Sequence, residues 1–280
     1  GKEIGLGLPL FIKWDDSEYG VRAQAAGFPT ISMPGAAVWH VPWTDKNDAL
    51  DWQAYFHQRN RFVAALLHSP FPRGGRMVRE SLNHTAVHLL SMHYSTVELR
   101  LKALEDVLAG PHRLHPDLVT KLPEVRALRS DFADAQTKSD PDAFPPVRRA
   151  KPRKRAFSHE LIGRGAQLTA AAKGAVRQFL PVRPMSREFP EAEIMAQDSF
   201  WWTMAAQDSA IYSMPDGTSA AFVKRDPELF KSLSARALQL HKQILQEWPQ
   251  LSQQYKAALG EITSPQTWAT TFGVDHEADA

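Results

Sequence analysis

"IKWDDSEYGVRAQAAGFPTISMPGAAVWHVPWTDKNDALDWQAYFHQRNR", residues 12–61, sets two adjacent acids after an apolar run and a Trp-His pair among prolines. The run at residues 8–13 reads as a buried strand that ends at Trp14. Residues 15–26 read as a helix: Asp15 stands at its start, Glu18 follows three residues later as in a capping box, and Gly27 is a natural stop. "PTISMPG" and "AAVWHV" read as short β-like pieces around a Pro-Gly turn. An acid pair where a strand passes into a helix would lie at the C-terminal edge of a sheet, where α/β folds hold ligands. The helix dipole keeps such carboxylates ionised, and an ionised carboxylate can accept a proton from an attacking hydroxyl. The same acids could do no more than cap the helix; spacing leaves both readings open. His40, between Trp39 and Val41, fits a packed core or surface residue as well as a metal ligand, and as a ligand it would need carboxylate partners.

Outward from this stretch, composition limits the field. The 280 residues can bury one large core or two small ones. Basic and acidic residues nearly cancel, 33 against 31, so overall charge names no partner. With no cysteine, disulfide frameworks, thiolate metal sites and cysteine nucleophiles are excluded. No apolar run approaches the roughly 18 residues that span a bilayer. The opening "GKEIGLGLPLFIKW" reads like the middle of a domain, which leads us to expect a fragment.

From Asn47 the pattern is helical, with Trp52, Tyr55, Phe56, Arg59, Phe62, Val63, Leu66 and Leu67 at three- and four-residue spacing. "SPFPRGGR" breaks it, and one long helix is predicted from Met77 to Leu108, ended by "AGP". Residues 130–156 read as a loop that contains the basic run "RRAKPRKR", 148–155. Another helix is predicted over 158–180. "SFWWTMAA", "SAIYSM", "PDGT" and "SAAFVKR", within 199–224, read as a β-hairpin or strand pair around an Asp-Gly turn. Two helices, 227–247 and 250–259, are predicted to complete the chain. Trp43, Trp52 and His57 add flat faces and polar tips of the kind that sugar sites use, although Trp52 sits on a helical core stripe.

The quoted stretch closely resembles the distal active-site segment of the polymerising galactofuranosyltransferases of mycobacterial and related cell walls, inverting nucleotide-sugar enzymes with the GT-A fold. The likeness is dense over residues 8–69 and continues more loosely through "STVELRLKALEDVLAGP" and the "FWW…PDGT" region. It implies a mainly α fold with a small β component. Residues 1–70 would be the distal part of a GT-A catalytic domain and 71–280 a helical C-terminal domain. It also implies roles for single residues. Asp16 would be the catalytic base, with Asp15 shaping the acceptor site. His40 would ligate a divalent cation, Mn2+ or Mg2+. Trp43 and His57 would line the acceptor pocket. The donor would be UDP-galactofuranose and the acceptor a lipid-linked galactan, at the cytoplasmic face of the plasma membrane, with the protein a peripheral homo-oligomer.

One departure stands out. The family's Asp-x-Asp metal motif has no counterpart before Asp15, and the "DPD" at 140–142 lies in the Pro-rich loop. The glycine-rich turn and arginines for the diphosphate are also absent, so this polypeptide alone is expected neither to bind the nucleotide sugar tightly nor to turn it over. The basic run fits a solvated loop or contact with anionic lipid headgroups. No aromatic interleaving or fold signature points to nucleic acid. The competing reading of the whole chain is a non-catalytic helical interaction module that carries a transferase remnant.

Overall fold

The computed structural model describes residues 1–35, 50–148, 163–214 and 217–274. In chain order the elements are α1 (Asp15–Ala25), α2 (Gln53–His68), α3 (Met77–Leu90), α4 (Tyr94–Ala109), α5 (Leu114–Ser130), β1 (Thr137–Lys138), α6 (Arg164–Gln178), α7 (Pro184–Glu188), β2 (Ala192–Ile194), α8 (Trp201–Met204), β3 (Ser209–Ser213), β4 (Ala220–Lys224), α9 (Pro227–Ile262) and α10 (Pro265–Phe272). The fold is therefore mainly helical with one small sheet, as expected.

The spine is α9. Phe230, Leu233, Ala237, Leu240, Ile244, Trp248, Leu251, Tyr255 and Ile262 fall on one face and are all buried. That stripe follows the 3.6-residue period along a helix about 54 Å long. Helices α2, α3 and α4 pack against it. Arg236 adds ion pairs from α9 to Glu98 and Glu105 of α4. The break predicted near residue 248 is absent, because Pro249 lies on the exposed side of the helix. There the carbonyl that loses its N–H partner can turn to water, while Trp248 on the other side stays packed.

The single helix predicted from 77 to 108 is instead two. Met92 takes a left-handed backbone (φ 62°) where a glycine would be expected, and His93 N–H donates to the His88 carbonyl, closing α3. Asp134, from the far side of α5, then accepts from the backbone N–H of Ser95 and from its hydroxyl at 3.0 and 2.6 Å, capping α4 across the fold. Helix α5 escaped the sequence pattern. Its buried face is Leu114, Asp117, Lys121 and Val125, half of it charged, and Pro123 sits inside it.

The strand expected at residues 8–13 is also absent. Leu8 and Leu10 are buried as predicted, but the chain turns irregularly, with Ile12 and Trp14 both left-handed (φ 64° and 67°). Among the described residues no strand lies alongside. The Asn60 side chain of α2 donates to the carbonyls of Phe11 and Lys13 at 3.2 and 2.8 Å in place of a ladder. "PTISMPG" forms no strand either, and "AAVWHV" lies outside the described residues.

The sheet runs β1-β4-β3-β2. The predicted hairpin is present, with β3 and β4 antiparallel from Ser209 opposite Lys224 to Ser213 opposite Ala220. β2 joins β3 in parallel, and α8, which the sequence had suggested as part of a strand, lies in the crossover. Asp208, before β3, gathers Arg177 of α6, Arg183 and Arg225 at 2.9–3.1 Å. The far ends of the chain meet as well: Leu6 N–H donates to the Thr263 carbonyl at 2.8 Å, and the Trp268 indole donates to the Gly7 carbonyl at 3.0 Å. Gly5 (φ 75°) lies so close that a Cβ there would meet Thr263 Oγ1 at 2.4 Å.

Two outcomes follow. Pro249→Ala restores a backbone donor on an exposed helix face and should stabilise the protein by about 1–3 kcal/mol, read as a higher urea midpoint. Burial alone would raise the Asp208 carboxyl, yet the Arg177 charge and the hydrogen bonds from Arg183, Arg177 and Arg225 bring it down to about 2. Its contribution, about 2 kcal/mol, is thus complete above pH 4 and is lost as pH falls toward 2. Asp208→Asn should flatten that limb of the acid-stability curve.

Candidate functional site

Asp15 and Asp16 occupy the first turn of α1, both exposed. The capping arrangement expected there does not form. The cap position belongs to Trp14, whose side chain makes no cap bond, and Asp15 is already helical. Asp16 Oδ1 accepts from Ser17 N–H at 2.6 Å and from the Ser17 hydroxyl at 3.2 Å. The acid pair therefore faces solvent at the positive end of the helix dipole, immediately after two left-handed residues. Such backbone costs on the order of 1–3 kcal/mol per residue and persists only where the surroundings enforce it.

Glu18 is among those surroundings. It points inward and is 1% exposed. It accepts from Arg22 Nε at 2.8 Å and faces His68 Nε2 of α2 at 3.0 Å. Arg22 in turn donates to the carbonyls of Ile4 and Leu6. Burial would raise the Glu18 carboxyl, but His68 and Arg22 together hold it below its ordinary range. One buried carboxylate thus ties α1, α2 and the N-terminal strap together. At the other end of α1, Gly27 N–H and Phe28 N–H return to the carbonyls of Gln24 and Ala23, with Gly27 left-handed, so the predicted stop is real.

His57 stands beside this turn. The Trp14 indole, which can only donate, points Nε1 at His57 Nδ1 across 3.4 Å, with the rings nearly perpendicular. Nδ1 is therefore the acceptor, and Nε2 carries the proton. Burial, with the Lys13, Arg100 and Arg61 charges, lowers the His57 pKa, so the ring is neutral at physiological pH. Trp52 packs on Phe11 and Phe56 at the helix start, the core role its spacing allowed. A cleft of about 280 Å³ between α1 and α2 is lined by Trp14, Ser17, Glu18, Arg61 and His68. A larger cavity, about 890 Å³, lies instead by Tyr94, Phe132 and Asp226 and is lined by none of the predicted site residues.

The structure thus brings Asp15, Asp16 and His57 to one corner through Trp14. His40 and Trp43 lie outside the described residues, as does the basic run beyond Arg148. Among the described residues no three potential ligands converge to hold a metal ion. No helix among them is long and apolar enough to cross a membrane. The contributions of Trp14, Asn60 and His68 escape sequence reasoning. Only the Glu18–Arg22 pair, four residues apart on one helix, carries a local signal.

Removing the central carboxylate tests this scaffold. Glu18→Ala leaves Arg22 buried without its partner and should cost on the order of 3–5 kcal/mol in urea unfolding at neutral pH. Because the wild-type carboxyl is depressed, the deficit should shrink as pH falls through its folded-state value.

Residues 77–274, from α3 through α10, match the family model described as Galactofuranosyltransferase-2, domain 3. The chain is 38% identical over 271 residues to Galactofuranosyltransferase GlfT2 of Mycolicibacterium smegmatis, covering 97% of the chain and 41% of that relative. It is 36% identical over 274 residues to the protein of the same name from Mycobacterium tuberculosis, covering 97% and 42%. The chain thus spans about two fifths of the length of these relatives, and the identity takes in the corner of α1 and α2 as well as the helical body. This chain belongs to the galactofuranosyltransferase family that the domain 3 model and these two relatives define.

Proposed function

We propose that the chain works as part of a metal-dependent inverting galactofuranosyltransferase, with residues 1–70 completing a GT-A catalytic domain and 71–280 forming its helical C-terminal domain. UDP-galactofuranose is the donor, and the growing end of a lipid-linked galactan is the acceptor. Asp16 takes the proton from the acceptor hydroxyl as its oxygen bonds to the anomeric carbon of the donor and the bond to UDP breaks, inverting that centre. Asp15 shapes the acceptor site beside it. His57, neutral and donating through Nε2, orients a sugar hydroxyl, and Trp43 offers an apolar face to a sugar ring. His40 ligates Mn2+ or Mg2+. When bound, that ion neutralises charge on the departing diphosphate. A peripheral position at the cytoplasmic membrane face and assembly into a homo-oligomer belong to the same reading.

The observation that carries it is the solvent-facing Asp16 carboxylate, held at a helix N-terminus by strained and buttressed backbone two residues from the indole that contacts His57. A helix cap alone gives no reason for that backbone cost.

The test is a chimera in which these 280 residues replace the matched segment of the M. smegmatis relative, assayed for transfer from UDP-galactofuranose to a galactan acceptor. Asp16→Asn should lower the rate by about 10²–10⁴-fold with donor binding nearly unchanged, since a general base contributes that much. A variant with near-normal turnover removes Asp16 from the mechanism.

A further inference from the structure

We infer that Asn60, held by Arg59, is a positioning residue for the acid pair at the start of α1, an inference that rests on the reading of Asp16 as the base. Asn60 is completely buried, and its Nδ2 reaches the carbonyls of Phe11 and Lys13. Those two carbonyls flank Ile12, and the second directly precedes Trp14, so one amide group grips the backbone on both sides of the first left-handed residue and just before the other. Ordinary strand pairing would hold this stretch in extended geometry and turn Asp15 and Asp16 elsewhere.

The amide can grip in this sense only if its oxygen is occupied elsewhere. Arg59 supplies the reason: its Nε donates to Asn60 Oδ1 at 2.8 Å, so the amide nitrogen must face the loop. Arg59 is itself 1% exposed, its guanidinium lying against the rings of Tyr55 and Phe56. Among the described residues neither of its terminal nitrogens has a hydrogen-bond partner, and the Asp117 carboxylate stands 3.8 Å away with one oxygen likewise unpartnered. A buried arginine that forgoes two terminal donors is a poor choice for stability alone. Among the described residues its one side-chain hydrogen bond is the one that fixes Asn60. The line from Asp117 of α5 through Arg59 and Asn60 to the loop makes the helical body the jig for the acid pair.

Two readouts test this. In the 280-residue chain, Asn60→Asp replaces the amide donors with a carboxylate that repels both carbonyls, while its charge is tolerated beside Arg59. Limited trypsin digestion should then cut after Lys13 at least tenfold faster, measured relative to cutting after Lys242 within α9. Arg59→Lys, which exchanges the fixed Nε–H for a rotatable ammonium, should give the same selective pattern at smaller amplitude. In the chimera, Asn60→Asp should lower kcat at least tenfold with the donor KM within twofold. Parallel changes at Lys13 and Lys242 in both variants would overturn the inference, since a purely structural residue loosens everything. So would an unchanged kcat in a chimera that Asp16→Asn inactivates, and that result leaves the base reading intact. Selective cutting after Lys13 in a chimera indifferent to Asp16→Asn would instead defeat the base reading while the clamp stood.

Discussion

One apolar stripe, running the length of α9, is the constraint from which the rest follows. Helices α2, α3 and α4 each carry a buried face that meets it, and the core they share reaches from Leu8 to Ile262. Polar links make the arrangement specific. Gln58 donates to the Ser81 hydroxyl, which meets His241 Nε2 at 2.8 Å, joining α2, α3 and α9 through buried groups. Burial holds that histidine near pKa 4, so at neutral pH it bonds as an uncharged ring. Once α2 is fixed against α9, Asn60, His68 and His57 are fixed too, and these are the residues that α1 and its preceding loop must satisfy.

The corner of α1 is thus held by polar contacts more than by apolar packing. α1 has only charged residues on its buried side, Glu18 and Arg22. Such contacts are directional, and they can hold a backbone that apolar packing alone would let relax into ordinary dihedrals. A site that must present two carboxylates to water gains from a support of that kind.

Much of this was legible in the sequence. The periodicity of α2 and α4 read correctly because their inward faces are mostly apolar, and the β3–β4 hairpin because turn chemistry and β-branched flanks agree. The failures share a physical cause. Met92 and Trp14 adopt left-handed backbone without being glycine, so no local signal marked the break after α3 or the loop before α1. α5 buries Asp117 and Lys121 in an ion network with Asp106 and Arg113, which hides its period. Pro249 reads as a stop because a sequence does not say which side of a helix faces water. Of the site, the acid pair and His57 were visible as residue types in order. Their support by Asn60 and His68 joins positions some fifty residues apart, beyond the reach of any spacing rule.

The bond between the Trp268 indole and the Gly7 carbonyl spans 261 positions of chain. On the ribosome, residues 1–14 emerge well before α10, yet the groove that seats them is completed only when α10 has been made. At roughly 5–20 residues per second, that leaves the strap unseated for tens of seconds while its partners are synthesised. Seating of the acid-bearing corner is thereby coupled to the synthesis of α10.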